Sequence, residues 1–435
     1  MKAHIAVIFS WFVAALLIFG GGVHASTLRE VVKETLSGNP EVLAQVRETQ
    51  ARDRQVRQAL GGFYPDVDIL GGYGFQERDP VSRLTPGSSR NELERTEWQL
   101  SVRQMVFDGF ETWNEYQNQQ AREESAEHRI QAVAEQVSLD AIEAYINILK
   151  RKAILDLADQ TLAFHQDIHQ RMKKRFDSGA GSRADLDQIS SRLAFARTNY
   201  FNAQANLIDA RTNFQRVVGR LPNEGELEKP DSYRQHLPET LAQAVERARQ
   251  KHPIVAVAMA DLEAVQYQYE RTKAAFYPQF HVDIERDHNN NIDGLEGHVD
   301  DLKVMLRMRY NLYNGRSDQA RRQQFAHLVE KAREVRNNAI RQVREEVRLA
   351  WVTRRNIEDQ IPSLERYVRD SEATKKAYLD QYDLGRRTLL DLLNTENENI
   401  DARKSLISAQ YDLVFNEYRL FQSMGELLWV MDASI

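Results

Sequence analysis

The chain has 435 residues, of which 28% are charged and 42% hydrophobic, with a formal net charge of −6. This balance excludes the basic surface expected of a nucleic-acid-binding protein, so no nucleic-acid partner is predicted. The sequence contains no cysteine, which excludes disulfides and a lipid on a mature N-terminal Cys. Gly and Pro are few, and stretches rich in Ala, Gln, Glu, Arg and Leu favour long helices.

The N-terminus has the layout of a secretory signal peptide. Lys2 supplies a positive charge, and the apolar run at residues 5–19 is short for a membrane span. Val23-His24-Ala25 then resembles a cleavage site for a signal peptidase. The sequence therefore predicts a signal peptide over residues 1–25 and a mature chain that begins near Ser26. An uncleaved N-terminal anchor is the alternative.

An internal repeat organises the chain. Asn39-Pro40 recurs as His252-Pro253, and Tyr64-Pro65 recurs as Tyr277-Pro278, both 213 residues later. Further along, the spacing is 206 residues, and the paired motifs are Phe107-Asp108-Gly109 with Tyr313-Asn314-Gly315, Phe176-Asp177-Ser178-Gly179 with Tyr382-Asp383-Leu384-Gly385, Asp185-Leu186 with Asp391-Leu392, and Gly219 with Gly425. Because independent landmarks agree, two copies of one structural unit are predicted.

Each unit is predicted to contain a helix, two strands, a long helix and a return helix. The first helix ends before Pro65 or Pro278, because proline lacks a backbone N–H and disfavours helix in the preceding residue. Repeat 1 is predicted at 26–220, with strands at about 66–77 and 97–107, a long helix at about 109–176 and a return helix at about 183–218. A linker follows at 221–237. Repeat 2 is predicted at 238–428, with strands at about 279–286 and 303–313, a long helix at about 315–382 and a return helix at about 388–425, and it is followed by a C-terminal tail at 429–435.

The strand segments alternate apolar and polar residues with a period of two. Val67, Ile69 and Tyr73 share one face of the first strand, whereas Asp66 and Asp68 share the other. A soluble half-buried sheet and a transmembrane barrel with a polar lumen both produce this alternation. The predicted strands are about ten residues long, which suits a membrane strand, and the predicted export signal favours the barrel.

The long helical segments extend for about 100 Å at 1.5 Å per residue, far more than a compact domain needs. Each turns at Gly179 or Gly385 and returns as a second helix, so antiparallel helical hairpins are predicted. Pro362 is expected to kink or interrupt the second long helix. Four strands per chain are too few to close a barrel in lipid, so several chains must share one. Three chains would supply twelve strands.

With these motifs in order and twice over, the chain resembles the TolC family of outer-membrane exit ducts over residues 28–428. The resemblance implies a mainly α fold with a membrane β-barrel, in which a homotrimer forms a 12-stranded barrel and a long α-helical periplasmic barrel. It also implies contact with outer-membrane lipid and localisation to the cell outer membrane, with the helical part in the periplasm. The implied partners are a periplasmic adaptor protein and an inner-membrane ABC transporter or other pump.

The same resemblance assigns roles to the hairpin tips. A polar network in the family closes the periplasmic entrance, and by motif position it would contain Asp185, Tyr382, Arg387 and Asp391. Ala184 and Asn394 stand where the family usually has a hydroxyl residue and a second acid. Three Asp391 carboxylates around one axis would favour bound cations; the alternative is an ordinary acid at a helix N-terminus. The tip residues expected to contact the adaptor are Gly179, Ser182, Arg183, Gly385 and Arg386.

The predicted function is that of the exit duct of a type I secretion system. The segment at residues 102–109 resembles family members that export unfolded proteins, often large adhesins or toxins. A multidrug or metal efflux duct is the alternative within the family, and a soluble periplasmic coiled-coil adaptor is the alternative outside it. The sequence shows no catalytic constellation, metal-binding motif or phosphate-binding loop, so no enzymatic activity and no cofactor are predicted.

Overall fold

The computed structural model describes residues 27–78, 91–222 and 227–433. The predicted signal peptide lies outside the described residues, as do residues 79–90 of the connection between the first two strands. The first repeat contains α1 (Leu28–Gly38), α2 (Pro40–Gly61), β1 (Asp66–Arg78), β2 (Asn91–Phe107), α3 (Glu111–Asp177) and α4 (Arg183–Val218). The second contains α5 (Leu241–Lys251), α6 (Pro253–Arg271), a 3-10 helix (Thr272–Phe276), β3 (Gln279–Asn290), β4 (His298–Arg309), α7 (Ser317–Asp383) and α8 (Leu389–Ser423), followed by α9 (Leu427–Val430).

Side-chain caps explain where the short helices begin. Thr27 and Glu30 form a capping box at the start of α1, in which each side chain accepts the other residue's backbone N–H. α2 and α6 both begin with proline, and the preceding side chain, Asn39 or His252, accepts a backbone N–H. The two repeats therefore share this entry geometry although the capping residue differs.

The four strands form one antiparallel sheet in the order β1-β2-β3-β4. Asp66 lies opposite Arg103 in the β1–β2 hairpin, and Gln279 lies opposite Arg309 in the β3–β4 hairpin. These pairs are 213 residues apart in the leading strand and 206 residues apart in the returning strand, which are the spacings of the sequence repeat. The two hairpins thus have the same register, and β2 pairs with β3 to join them.

Several element bounds differ from those predicted. The observed bounds are β2 from Asn91 instead of 97, β3 to Asn290 instead of 286, β4 at His298–Arg309 instead of 303–313, and α8 to Ser423 instead of 425. Strand pairing sets the sheet ends: Asn290 pairs with His298, so the ladder continues to a short turn, and β4 ends opposite the first residue of β3. Hydrophobic alternation fades near the loops and could not locate these ends.

The long helices begin two residues after each junction glycine, later than predicted, because the junction backbone is left-handed. Gly109 and Phe110 have φ values of +72° and +67°, and Gly315 and Arg316 have values of +70° and +67°. The carboxylate of Asp108 then accepts the N–H groups of the first helical turn of α3, at 2.7 and 3.1 Å. Both repeats therefore share the left-handed backbone of this turn, whereas at the second junction the side chain of Asn314 donates to the Asp318 carboxylate.

The two faces of the sheet differ in chemistry. One face presents exposed apolar side chains, which include Val67, Ile69, Tyr73, Phe75, Val304, Leu306 and Met308. The other carries ion pairs across neighbouring strands. Asp283 accepts from Arg103 at 2.9 Å and Arg307 at 2.7 Å, and Asp287 pairs with Lys303 at 2.9 Å. Large exposed apolar area on one side of a sheet indicates contact with a membrane or another chain.

The long helices pack as two hairpins, α3 with α4 and α7 with α8, and α3 also contacts α2, α6 and α8. At 67 residues, α3 and α7 are each about 100 Å long. Of the two effects expected of Pro362, the interruption is wrong, because α7 runs continuously through it, and the kink stays a prediction. Proline removes a single N–H, and in a helix of this length packed along α8 that loss does not end the helix.

The main core lies part-way along the long helices, where α1, α5 and the C-terminal segment pack around them. Its largest fully buried side chains include Tyr145, Phe214, Tyr418 and Phe421. Among the described residues, no helix is both long enough and apolar enough to cross a membrane.

Candidate functional site

The two hairpin tips have the same backbone. Gly179 and Gly385 adopt φ values of +76° and +71°. In the first tip Ala180 N–H donates to the Arg175 carbonyl, and the corresponding bond in the second joins Arg386 to Gln381, both at 2.8 Å. Glycine fits this left-handed position because it has no Cβ and so avoids the steric penalty that other residues meet there. The shared turn places the return helices α4 and α8 at equivalent positions.

The acidic residues of the predicted entrance lie in the first turn of these return helices. Ser182 Oγ accepts the N–H of Asp185 at 3.1 Å at the start of α4. At the start of α8, Thr388 Oγ1 accepts the N–H of Asp391 at 3.2 Å, and the Asp391 carboxylate accepts the Thr388 hydroxyl at 2.8 Å. Asp391 therefore belongs to a capping box in addition to any role in the entrance.

Tyr382 is buried between the two hairpins, with 4% of its surface exposed. It packs in a small apolar cluster formed by Ile168, Met172, Ile189, Leu389, Leu392 and Leu393. The guanidinium of Arg175 lies over its ring, 5.0 Å from the centroid. Burial raises the pKa of Tyr382, Arg175 lowers it, and Asp185 raises it. Among the described residues its hydroxyl makes no hydrogen bond of normal geometry.

Arg387 lies at the turn before α8. Its Nε donates to Gln381 Oε1 at 3.0 Å, and its guanidinium lies 4.3 Å from the centroid of the Tyr378 ring. Its Nη1 is 3.9 Å from Asp391 Oδ2. The structure thus divides the predicted entrance residues into two groups, Tyr382 near Asp185 between the hairpins and Arg387 with Asp391 on the second tip.

The residues expected to contact an adaptor lie on the surface of the tips. Ser182, Arg183, Gly385 and Arg386 are exposed. Arg183 Nε donates to both carboxylate oxygens of Asp187 at 3.1 Å. Exposed backbone turns with basic side chains present both hydrogen-bonding and charged groups to a partner.

Two ion pairs near the tips were not predicted from the sequence. Arg171 of α3 pairs with Asp383 of α7 at 3.3 Å, which links the hairpins. Lys375 pairs with Glu396 at 2.5 Å, and that carboxylate is 3% exposed. The ammonium of Lys375 also lies 4.6 Å from the centroid of the Phe164 ring. These residues are far apart in sequence or on different helices, so no motif could have indicated the pairs.

Comparison with known proteins identifies the family. The family model described as outer membrane efflux protein matches residues 31–220 and 244–426. The chain belongs to this family. It is 23% identical over 425 residues to the outer membrane efflux protein BepC of Brucella suis, which covers 95% of this chain and 90% of BepC. It is 22% identical over 418 residues to the alkaline protease secretion protein AprF of Pseudomonas aeruginosa, covering 92% and 85% of the two chains.

A solved structure agrees with the fold. The crystal structure of the outer membrane protein VceC of Vibrio cholerae superposes with a TM-score of 0.79 at 15% identity, over 92% of this chain and 96% of that chain. The predicted resemblance to TolC-family channels is therefore confirmed, as is the fold class of tandem helix-and-strand repeats. The chain is an outer-membrane channel protein with a periplasmic helical part, and its family consists of channels and not of enzymes.

Proposed function

We propose that the chain is the exit duct of a tripartite type I secretion system and conducts an exported protein, of the large adhesin or toxin class. An ABC transporter and a periplasmic adaptor would deliver the cargo, and the duct itself would conduct passively. The observation that carries the proposal is a sheet with one exposed apolar face and one ion-paired face, continued by helices of 67 residues. Three copies would join their sheets into one 12-stranded barrel.

Two relatives bear on the choice of cargo. AprF is named as a protease secretion protein and BepC as an efflux protein, at nearly equal identity. The segment at residues 102–109, which resembles secretion members, favours protein export. The efflux of drugs or metals is the second candidate, because of the BepC likeness. The soluble adaptor alternative is set aside, because the family is one of outer-membrane channels.

Deletion of the gene distinguishes the two candidates. Under the secretion proposal, a large protein disappears from the culture supernatant and accumulates inside the cell, while susceptibility to drugs and metal ions stays unchanged. Re-expression of the full chain restores export. If the supernatant proteins are unaltered and susceptibility rises, the chain serves efflux.

We further propose that Asp185, Tyr382, Arg387 and Asp391 form the periplasmic entrance, where three Asp391 carboxylates would make the pore cation-selective. The capping box allows charge and capping to be separated. Asp391→Asn removes the charge but keeps an oxygen for the Thr388 donors, whereas Asp391→Ala removes both. The Asn variant should lose cation selectivity and cation block in single-channel recordings at unchanged thermal stability.

If Asp391→Asn conducts with wild-type selectivity and block, the carboxylate serves only as a helix cap and the entrance proposal fails for this residue. Asp187→Asn on the neighbouring tip is the matched control. Its carboxylate is also exposed and paired, with Arg183, but it lies outside the proposed entrance. Its selectivity should equal that of the wild type.

A further inference from the structure

The repeat supplies a template for how two copies of the chain meet. Within one chain, the trailing elements of repeat 1, β2 and α3, pack against the leading elements of repeat 2, β3 and α6. The trailing elements of repeat 2, β4 and α7, share with β2 and α3 the hairpin register and the left-handed junction backbone. The leading elements of repeat 1, β1 and α2, share with β3 and α6 the hairpin register and a helix that begins with proline. The surfaces β4–α7 and β1–α2 are therefore equivalent to two surfaces already joined within the chain.

The surroundings of the junction glycine differ between the two repeats, because Gly109 faces repeat 2 of the same chain and Gly315 lies at the open edge. A Cβ added to Gly109 would lie 2.8 Å from the carbonyl oxygen of Ala274 in repeat 2. Gly315 has the same left-handed backbone, yet a Cβ there would meet open space. The residue equivalent to Ala274 in repeat 1 is Gly61, at the end of α2. In a neighbouring copy, the Gly61 turn would therefore occupy the space beside Gly315.

A polar contact between α3 and α6 is buried, whereas the equivalent residues on α7 and α2 are exposed. Asn118 of α3 is 1% exposed, and its Nδ2 donates to the Ala264 carbonyl of α6 at 2.6 Å. The residues at the equivalent positions are Gln324 on α7, which has a similar amide, and Ala51 on α2. Both are exposed in the single chain.

The helix contact with the clearest chemistry is centred on Asp261 of α6. Ser125 Oγ of α3 donates to Asp261 Oδ1 at 2.6 Å. The equivalent residues are Lys331 on α7 and Glu48 on α2, which are exposed and opposite in charge. Glu48 pairs within α2 with Arg52 at 2.8 Å, which leaves its second oxygen for another cation.

We propose that α7 of one copy docks on α2 of the next in the register by which α3 docks on α6, so that Lys331 of one copy pairs with Glu48 of its neighbour. The proposal rests on the proposed channel, because it names the surface by which the copies join. Within the chain, Asp261 accepts from Ser125 and also pairs with Arg129 at 3.7 Å. At the equivalent place between chains, the proposed contact is the ion pair of Lys331 with Glu48.

The same transposition by the repeat spacings predicts how β4 of one copy pairs with β1 of the next. Leu100 pairs with Arg286, and Trp98 pairs with His288, where β2 joins β3. Transposed by the repeat spacings, Leu306 of one copy lies opposite Tyr73 of the next, and Val304 lies opposite Phe75. All four side chains are at least 66% exposed in the single chain. Pairs of an aromatic and an aliphatic side chain across strands stabilise a sheet, so the apolar faces of the two edges are complementary.

The absence of native cysteine allows a direct test. The full mature chain carrying Glu48→Cys and Lys331→Cys is treated in outer membranes with a short bis-maleimide, whose two ends each add one cysteine thiol. We expect covalent dimers and trimers on a denaturing gel. Ser125→Cys with Asp261→Cys, the template pair, should react within one chain and give no such ladder. Glu48→Cys with Arg355→Cys is the distance control, because Arg355 lies about 36 Å further along α7.

A ladder from the Glu48/Lys331 pair, with none from the distance control or either single cysteine, supports the register. Absence of that ladder overturns it. Native mass and conductance of the cysteine-free protein then distinguish the failures. If the protein is trimeric and conducts, only the register is wrong; if it is monomeric and silent, the proposed channel fails as well. As a second readout, Lys331→Glu should lower the temperature at which the oligomer dissociates, and Glu48→Lys added to it should restore that temperature.

Discussion

A single buried carboxylate holds the C-terminal segment onto the long helices. Glu135 of α3 is 3% exposed, and its two oxygens accept the N–H groups of Leu427 and Leu428 at 3.1 and 3.2 Å. Burial raises the pKa of Glu135 from its usual 4.5 to about 8, while the two N–H donors act against this rise. The proton is therefore bound more tightly in the folded chain than in the unfolded chain.

The raised pKa has a definite sign for stability. Below pH 4.5 the carboxyl is protonated in both states, and its contribution is fully present; as pH rises to about 8, that contribution is lost. Glu135→Gln retains a similar shape and an acceptor oxygen but cannot ionise. The midpoint of thermal unfolding of the wild type, relative to the variant, should therefore fall between pH 4.5 and 8. A constant difference across this range would contradict the prediction.

His252 shows the opposite behaviour. It caps α6 through Nδ1, which accepts the Ile254 N–H at 3.2 Å, and burial lowers the pKa of its ring from 6.5 to about 4. Repeat 1 has Asn39 at the equivalent position, which caps α2 without a titrating group. His252→Asn should therefore retain the cap. The wild type should lose stability as pH falls from about 6.5 to 4, and the variant should lack this loss. Thermal melts at pH 4.5 and 7 measure this, and an equal acid loss in both proteins would refute it.

The hairpin tips are a property of the helical elements. Their turns are alike although few residues match, because glycine at the left-handed position and a hydroxyl cap three residues later suffice to define them. Gly385→Ala should destabilise the second tip by about 1–2 kcal/mol, because a Cβ is unfavourable in the left-handed region. Gly385→Asn, which tolerates that region better, is the matched control.

Hydrogen exchange at the amides of the tip measures this effect. The Arg386 N–H, bonded to the Gln381 carbonyl, should exchange faster in the Ala variant and less so in the Asn variant. Wild-type protection in the Ala variant would show that the left-handed glycine is not required.

The order of the strands and of the helices around them was predictable, because proline, glycine and the change of hydrophobic period mark it in the sequence. The short helices α1, α5 and α9 were not predicted. The ends of the strands were not, since pairing with a neighbour decides where β4 stops. For the candidate site, the sequence located the tips but not the burial of Tyr382, which depends on how the two hairpins pack. The Lys375–Glu396 pair was also missed, because it depends on how α7 and α8 pack against each other within one hairpin.

At the scale of the whole molecule, the sheet has two open edges, β1 and β4, and a broad exposed apolar face. Unpaired edges are costly in lipid, because backbone groups find no water there. The proposed duct therefore needs neighbouring copies of the chain. Closing the sheet with them would satisfy the edges, place the apolar face in lipid and leave the ion-paired face around an aqueous lumen.

The most direct test of this account measures native mass and conductance on the same purified full-length mature protein. The account predicts particles of three copies in detergent, which open discrete ion-conducting channels in planar lipid bilayers. A protein that remains a single copy in detergent-free buffer and opens no channels would contradict the shared barrel, and with it the proposed duct.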